Sequence, residues 1–153
     1  MLETKIHVRR ATAEDAARVA PLFDSYRQFY GHPADLDLAR NFIGDRLAEG
    51  SSILFVAEQE GEAVGFVQLY PSFSSMSAGP AMILNDLYVT PPAWGQGIAE
   101  RLVRAAAREA AEAGAVKMSL MTQKTNLRAR ALYERLGWIA DDEFMTYDLA
   151  IRR

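Results

Sequence analysis

Gly95-Gln96-Gly97 and its flanks carry the clearest chemistry in this chain. An extended, apolar-rich run, Ile83 to Val89, meets Pro91 and Pro92, which stop a strand, and a helical pattern begins after Gly97. Glycines at 95 and 97, followed by the small Ala99, let main-chain N–H groups approach a ligand with no side chain in the way. The first N–H groups of the helix lack intrahelical partners and sit at its positive dipole end. Together these features suit an anion, a phosphate above all. A dinucleotide fingerprint needs a third glycine near Glu100 and an acid after the next strand, where Met121-Thr122 stand. No Gly-Lys-Ser/Thr follows, so a Walker loop is excluded.

A second segment runs from Asn126 to Trp138. Asn126 is a good helix N-cap. Ala129, Leu132, Tyr133 and Leu136 share one helical face, so spacing alone makes Tyr133 a core residue.

The elements that must hold these residues follow from periodicity and turn chemistry. Ile6 and Val8 alternate as in a strand. Thr12 caps a helix reaching about Tyr30, and Pro33–Asp37 opens a second helix to about Ala48. Residues 53–57 and 63–70 form a hairpin turning at Glu60-Gly61-Glu62. Pro71 to Pro80 reads as a serine-rich loop, 81–89 as a strand, 96–113 as a helix ended by Gly114, 116–122 as a strand and 126–136 as a short helix. One or two final strands are expected within Trp138–Ala150. The order is β-α-α-β-β-β-α-β-α-β(-β), a mixed α/β pattern in a single domain spanning 1–153. The hairpin is antiparallel, and the crossover from Val89 through a helix to Val116 suits a parallel pair.

Composition narrows the function. A net charge of −3 lends no support to nucleic-acid binding. No apolar run reaches the ~18 residues of a membrane span, and Met1–Lys5 lacks an apolar signal region. The absence of cysteine excludes disulfides, thiolate zinc sites and a cysteine acyl-enzyme, and is compatible with the cytoplasm. No metal is called for.

Asp86-Leu87-Tyr88-Val89, Gly95-Gln96-Gly97-Ile98-Ala99 and the pattern Asn126-x-x-Ala129-x-x-Leu132-Tyr133-Glu134-Arg135-x-Gly137-Trp138 occur in this order. Over roughly Lys5 to Ala150 the chain resembles the GNAT superfamily of acyl-CoA-dependent N-acyltransferases. The resemblance implies a mixed, mostly antiparallel sheet with helices on both faces and a parallel pair splayed to admit acetyl-CoA. It implies that the pyrophosphate rests on the N–H groups of Gly95, Gln96, Gly97, Ile98 and Ala99, with Trp94 beside them. The pantetheine arm would run along Leu87, Tyr88 and Val89, whose backbone would also meet the reaction's oxyanion. The family usually has Arg or Gln where Trp94 stands, which removes a possible phosphate contact and leaves the amides.

By the same resemblance Tyr133 is the general acid that protonates the leaving thiolate, a transfer suited to a phenol near pKa ~10 and a thiol near ~8.5. Asn126 would lie near the cofactor arm while capping its helix. Asp86 is the best carboxylate to take the acceptor's proton; a purely structural hydrogen bond, or a base made of waters, are the alternatives. Asn85 and Asp86 should face opposite ways unless a bulge intervenes.

On the acceptor side, residues 26–33 and 70–75 resemble, more loosely, segments of polyamine (diamine) and Hpa-type amine or histone acetyltransferases. Tyr26, Phe29, Tyr30, Tyr70 and Phe73 would wall a pocket attracting an ammonium through cation–π contact, with Asn85 beside it and Asp24, Asp35 and Asp37 adding negative potential. Packing of Tyr26 and Phe29, and helix-start roles for Asp35 and Asp37, explain the same residues without a ligand. His32, between Gly31 and Pro33, is expected to be solvated. The implied reaction is direct acetyl transfer from acetyl-CoA to a small-molecule amine, by a homodimer. A protein-lysine acceptor with an open groove, or a non-catalytic acyl-CoA sensor, are the rivals.

Overall fold

The computed structural model describes residues 5–152. The chain divides into two compact units, one ending at Leu120 and one beginning at Met121.

In the first unit five strands form one sheet in the order β1-β2-β3-β4-β5. These are β1 (Ile6–Arg10), β2 (Ile53–Gln59), β3 (Glu62–Ser74), β4 (Gly79–Val89) and β5 (Lys117–Ser119). Each of the first four is antiparallel to its neighbour and β5 is parallel to β4. Helices α1 (Ala16–Phe29), α2 (Leu36–Glu49) and α3 (Ile98–Glu112) complete the unit.

Strand alternation sends neighbouring residues to opposite faces. Leu54, Val56 and Phe66 pack with Val19, Ala20, Leu22 and Phe23 of α1 and Ala39 and Ile43 of α2. The adjacent Gly65 looks the other way, where a Cβ would stand 3.3 Å from Leu102 Cδ1 of α3 and 2.9 Å from the Tyr88 carbonyl oxygen. Only glycine admits α3 this close to the sheet. Ile98, Leu102, Val103, Ala106 and Ala110 form the buried stripe of α3. The expected mixed sheet with helices on both faces is therefore present.

Helix starts follow their signals. Asp15 accepts from the Thr12 N–H at 2.7 Å, and a 3-10 turn at Ala13–Asp15 leads into α1. Arg9 of β1 donates to both Asp15 oxygens at 2.9 and 2.7 Å and also meets Glu58. Asp35 caps α2 by accepting from the Leu38 N–H at 3.1 Å.

Three expectations fail. Pro71–Pro80 is no loop: β3 runs to Ser74 and β4 starts at Gly79, paired from Pro71↔Met82 to Ser74↔Gly79. Serine-rich composition concealed this, and Pro71 is tolerated because β2 pairs with β3 only as far as Leu69, leaving one side of β3 open. The strand expected over 116–122 is limited to three residues, because its ladder with β4 ends at Ile83↔Ser119.

In the second unit α4 (Leu127–Arg135) follows Asn126, whose Oδ1 accepts from the Ala129 N–H at 3.2 Å. The third failure lies here. Residues 138–152 form neither helix nor strand, so the final strands expected within Trp138–Ala150 are not made. Met145, Tyr147, Leu149 and Ile151 alternate as in a strand and are all exposed. Alternation supplies a face but not a partner, and a strand exists only through pairing.

Candidate active site

Two sites grow from β4. The first is its edge and the turn beyond. The β4–β5 ladder stops at Ile83, while β4 continues six residues to Val89. From Leu84 onward that edge is not closed by β5. Pro91–Ala93 makes a 3-10 turn, and Gly95 and Gly97 take φ of +81° and +75°. Gly97 is the N-cap of α3 and has no side-chain cap. Among the described residues, no atom beyond the chain neighbours lies within 4 Å of where a Cβ would stand on either glycine. The cradle is therefore open, and its backbone takes the left-handed conformation that glycine adopts freely. The residues present fit a pyrophosphate held by main-chain N–H groups. Gln96 turns its side chain aside, donating to the Ala93 carbonyl at 3.3 Å and accepting from Gln59 at 2.6 Å. Glu100, the acid in the first turn of α3, pairs with Arg104 at 3.2 Å.

Trp94 departs from the usual residue with a structural consequence. Its indole N–H donates to the Val89 carbonyl at 2.7 Å. The side chain thus occupies a main-chain acceptor at the end of the open edge.

The second site is a cavity of about 320 Å³ on the α1/α2 face of the sheet. Five expected residues line it: Tyr26, Tyr30, Tyr70, Asn85 and Asp86. A β-bulge explains how the last two meet. Gln68 pairs with Asp86 but Leu69 pairs with Leu84, so Asn85 is the extra residue. Asn85 Nδ2 donates to Asp86 Oδ1 at 3.1 Å.

Phe29 and Phe73 do not line this cavity and are 60% and 83% exposed. Asp24 is buried and holds the chain, accepting from the Asp35 N–H at 2.9 Å and from Gln28 at 3.2 Å. The lining also includes Phe23 and Phe42, which sequence reasoning passed over, and Arg27 and His32 of the 26–33 segment. His32, expected to be solvated, does line the cavity while remaining exposed. Rings pack along its wall, with Phe23 stacked on Phe42 at 5.2 Å and Tyr26 edge-on to Tyr30 at 5.1 Å.

Asp86 is the buried charge of this site, only 4% exposed. Burial pushes its carboxyl above the usual carboxylate range, and hydrogen bonds from Gln68, Tyr26 and Asn85 hold it partway back. Burial and the charge of Asp86 push the Tyr70 phenol up to about 12, with Arg46 partly opposing. Tyr30 is raised by the same two causes, burial first. Both phenols therefore stay protonated near neutrality. A carboxyl raised above its ordinary range is a stronger proton acceptor than a free carboxylate.

Tyr133 and Asn126 share the second unit. Tyr133 is buried in α4 with its ring 5.8 Å from Trp138, and its carbonyl accepts from the Trp138 N–H at 3.0 Å. Among the described residues no group of three or more His, Cys, Asp or Glu could hold a metal ion, and no helix is long and apolar enough to cross a membrane.

Residues 19–138 match the family model described as the acetyltransferase (GNAT) family. The chain is 43% identical to the uncharacterized N-acetyltransferase YhfO of Bacillus subtilis over 146 residues, covering 95% of this chain and 98% of that protein. A crystal structure of a probable acetyltransferase superposes with a TM-score of 0.88 at 39% identity, covering 96% of this chain and 99% of the other. The fold is also that of the aminoglycoside N-acetyltransferase AAC(6')-Iy in complex with CoA, with a TM-score of 0.82, 19% identity and 98% of each chain covered.

Proposed function

The chain belongs to the acetyltransferase (GNAT) family, and from that premise we propose that it acetylates a primary amine of a small molecule by direct attack within a ternary complex. It is an N-acetyltransferase with acetyl-CoA as co-substrate. The finer reading rests on one observation: Asp86 and three tyrosines converge on a cavity of small-molecule size. An ammonium is attracted by tyrosine faces and by the carboxylate, and the attack needs its neutral form.

In this reading Asp86 receives the proton that the amine gives up as its nitrogen bonds to the thioester carbonyl carbon. Asn85, Tyr26, Tyr30 and Tyr70 position the acceptor. The carbon–sulfur bond then breaks, and the Tyr133 hydroxyl supplies the proton that converts thiolate to thiol. The N–H groups of Gly95–Ala99 hold the pyrophosphate and the backbone of Leu87–Val89 lines the acyl arm; a cofactor role for Asn126 rests on the family resemblance alone. Acetyl-CoA supplies the activated acetyl group; every other contribution comes from these side chains and amides. The reading takes 1–153 as one acetyltransferase domain, acting as a homodimer in the cytoplasm.

The test is a screen of polyamines, amino acids of both hands, aminoglycosides and lysine peptides with acetyl-CoA, following thiol release and the N-acetyl product. Turnover of a small amine well above that of lysine peptides is expected. Turnover of lysine peptides alone, or acetyl-CoA binding with no thiol release, contradicts the reading.

A further inference from the structure

A chain of hydrogen bonds enters the acceptor cavity from the far side of β3. Ser52, just before β2, donates from Oγ to Gln68 Oε1 at 2.7 Å. Gln68 Nε2 donates to Asp86 Oδ2 at 2.7 Å. All three side chains are buried, and Gln68 has no exposure. Gln68 stands in a central strand, across from Leu54 on one side and Asp86 on the other. An amide there costs free energy unless both of its ends are satisfied.

The directions of these bonds are fixed by chemistry. An ionised carboxylate only accepts, so the amide must present its NH₂ to Asp86. That leaves Oε1 facing Ser52, whose hydroxyl is the donor it needs. With the hydroxyl gone, Oε1 would lie buried with nothing to accept, and the amide would lose its reason to keep one orientation.

The carboxylate is thereby divided. Oδ2 is held in the sheet interior by Gln68, while Oδ1 takes the weaker 3.1 Å bond from the bulge residue Asn85, itself on the cavity wall, and Tyr26, also on that wall, is a further donor to the carboxylate. We propose that Gln68, its amide pinned by Ser52, is the positioning residue that holds Oδ2 of Asp86 and leaves Oδ1 as the atom that takes the acceptor's proton. This rests on the reading of Asp86 as the proton acceptor. Neither Ser52 nor Gln68 lines the cavity, so neither is a catalytic residue.

Other groups around the carboxylate could also move its titration. They are Tyr26, Arg27, Tyr30 and His32 from α1 and the segment after it, and Tyr70 from β3. From α2 comes Arg46, which acts on Tyr70. Variants at 52 and 68 leave all of these side chains in place, so they report on the chain itself.

The experiment is the pH dependence of kcat/KM with an accepted amine, whose acid limb reports the free enzyme's base. Gln68→Leu removes a donor to the charged form, so the acid limb should move to higher pH by about one pH unit. Ser52→Ala, which only deletes an atom, should move it the same way by less, and Ser52→Thr should restore it. Ser52→Ala added to Gln68→Leu should produce no further shift, the non-additivity expected of two links in one chain. If Gln68→Leu does not fold, the Ser52 pair of variants alone decides. An acid limb that stays in place, with or without a lower melting temperature, makes the chain structural and overturns the proposal. Asp86→Asn separates the two readings: undiminished activity removes Asp86 as the base, whereas lost activity with unmoved limbs at 52 and 68 removes only the positioning role.

Discussion

The two sites on β4 work by opposite means. The cradle at Gly95–Ala99 offers main-chain N–H groups on an open turn, and the side chains there are turned away, paired or missing. The cavity does the reverse, since its chemistry lies in side chains brought from α1, α2, β3 and the bulge of β4. A backbone site tolerates a change of side chain, as Trp94 illustrates, but not a change of φ. A side-chain site tolerates neither loss of a key group nor loss of the bonds that aim it.

The largest effect should come from the side-chain site. Asp86→Asn removes the proton acceptor and should lower kcat by about 10²–10⁴-fold, with little change in acetyl-CoA affinity by calorimetry. Equal losses in both would mean that the cavity and the cradle are not separable. Tyr133→Phe should lower kcat by roughly 10–100-fold and leave acetyl-CoA affinity unaltered; unchanged turnover would remove the phenol from the acid role. Gly97→Val attacks the backbone instead. At φ +75° a β-branched residue is strained, and acetyl-CoA should bind about tenfold more weakly. Binding as tight as in the parent would show that the turn does not hold the pyrophosphate.

Smaller effects sharpen the contrast. Trp94→Phe deletes the indole N–H and frees the Val89 carbonyl. If the acyl arm uses that carbonyl, acetyl-CoA affinity should rise a few-fold, on the scale of one hydrogen bond; a weaker complex would make the indole itself a contact. Asp15→Asn, beside neither site, should change neither kcat nor affinity. The Arg9 guanidinium holds the Asp15 carboxyl far below the usual carboxylate range. Its contribution is therefore present above the unfolded pKa near ~3.9 and is lost as pH falls towards the depressed folded value. Thermal denaturation should show the variant less stable by about 1–2 kcal/mol at neutral pH, with the gap closing in acid.

The same contrast explains what the sequence reveals. The cradle is written in consecutive residues: two prolines, two glycines and the start of an amphipathic helix. The cavity is dispersed. Tyr26, Tyr30, Tyr70, Asn85 and Asp86 could be named from sequence, but the bulge that turns Asn85 and Asp86 towards one space depends on the register of β3 against β4. Phe23 and Phe42 carry no local sign of their place in the wall. Gln68 did leave a trace, as a lone amide in the apolar run Phe66-Val67-Gln68-Leu69. Pro71 to Pro80 misled because serine and proline report composition, whereas pairing with β4 made most of it strand. Past Trp138, alternating apolar residues signalled strands for which the structure provides no pairing.

The most direct test of the central claim is a crystal structure with CoA and an accepted amine. The amine nitrogen should lie within hydrogen-bond reach of Asp86 Oδ1, among Tyr26, Tyr30 and Tyr70. A nitrogen bound elsewhere, with Asp86 still enclosed by Gln68 and Asn85, would contradict the account.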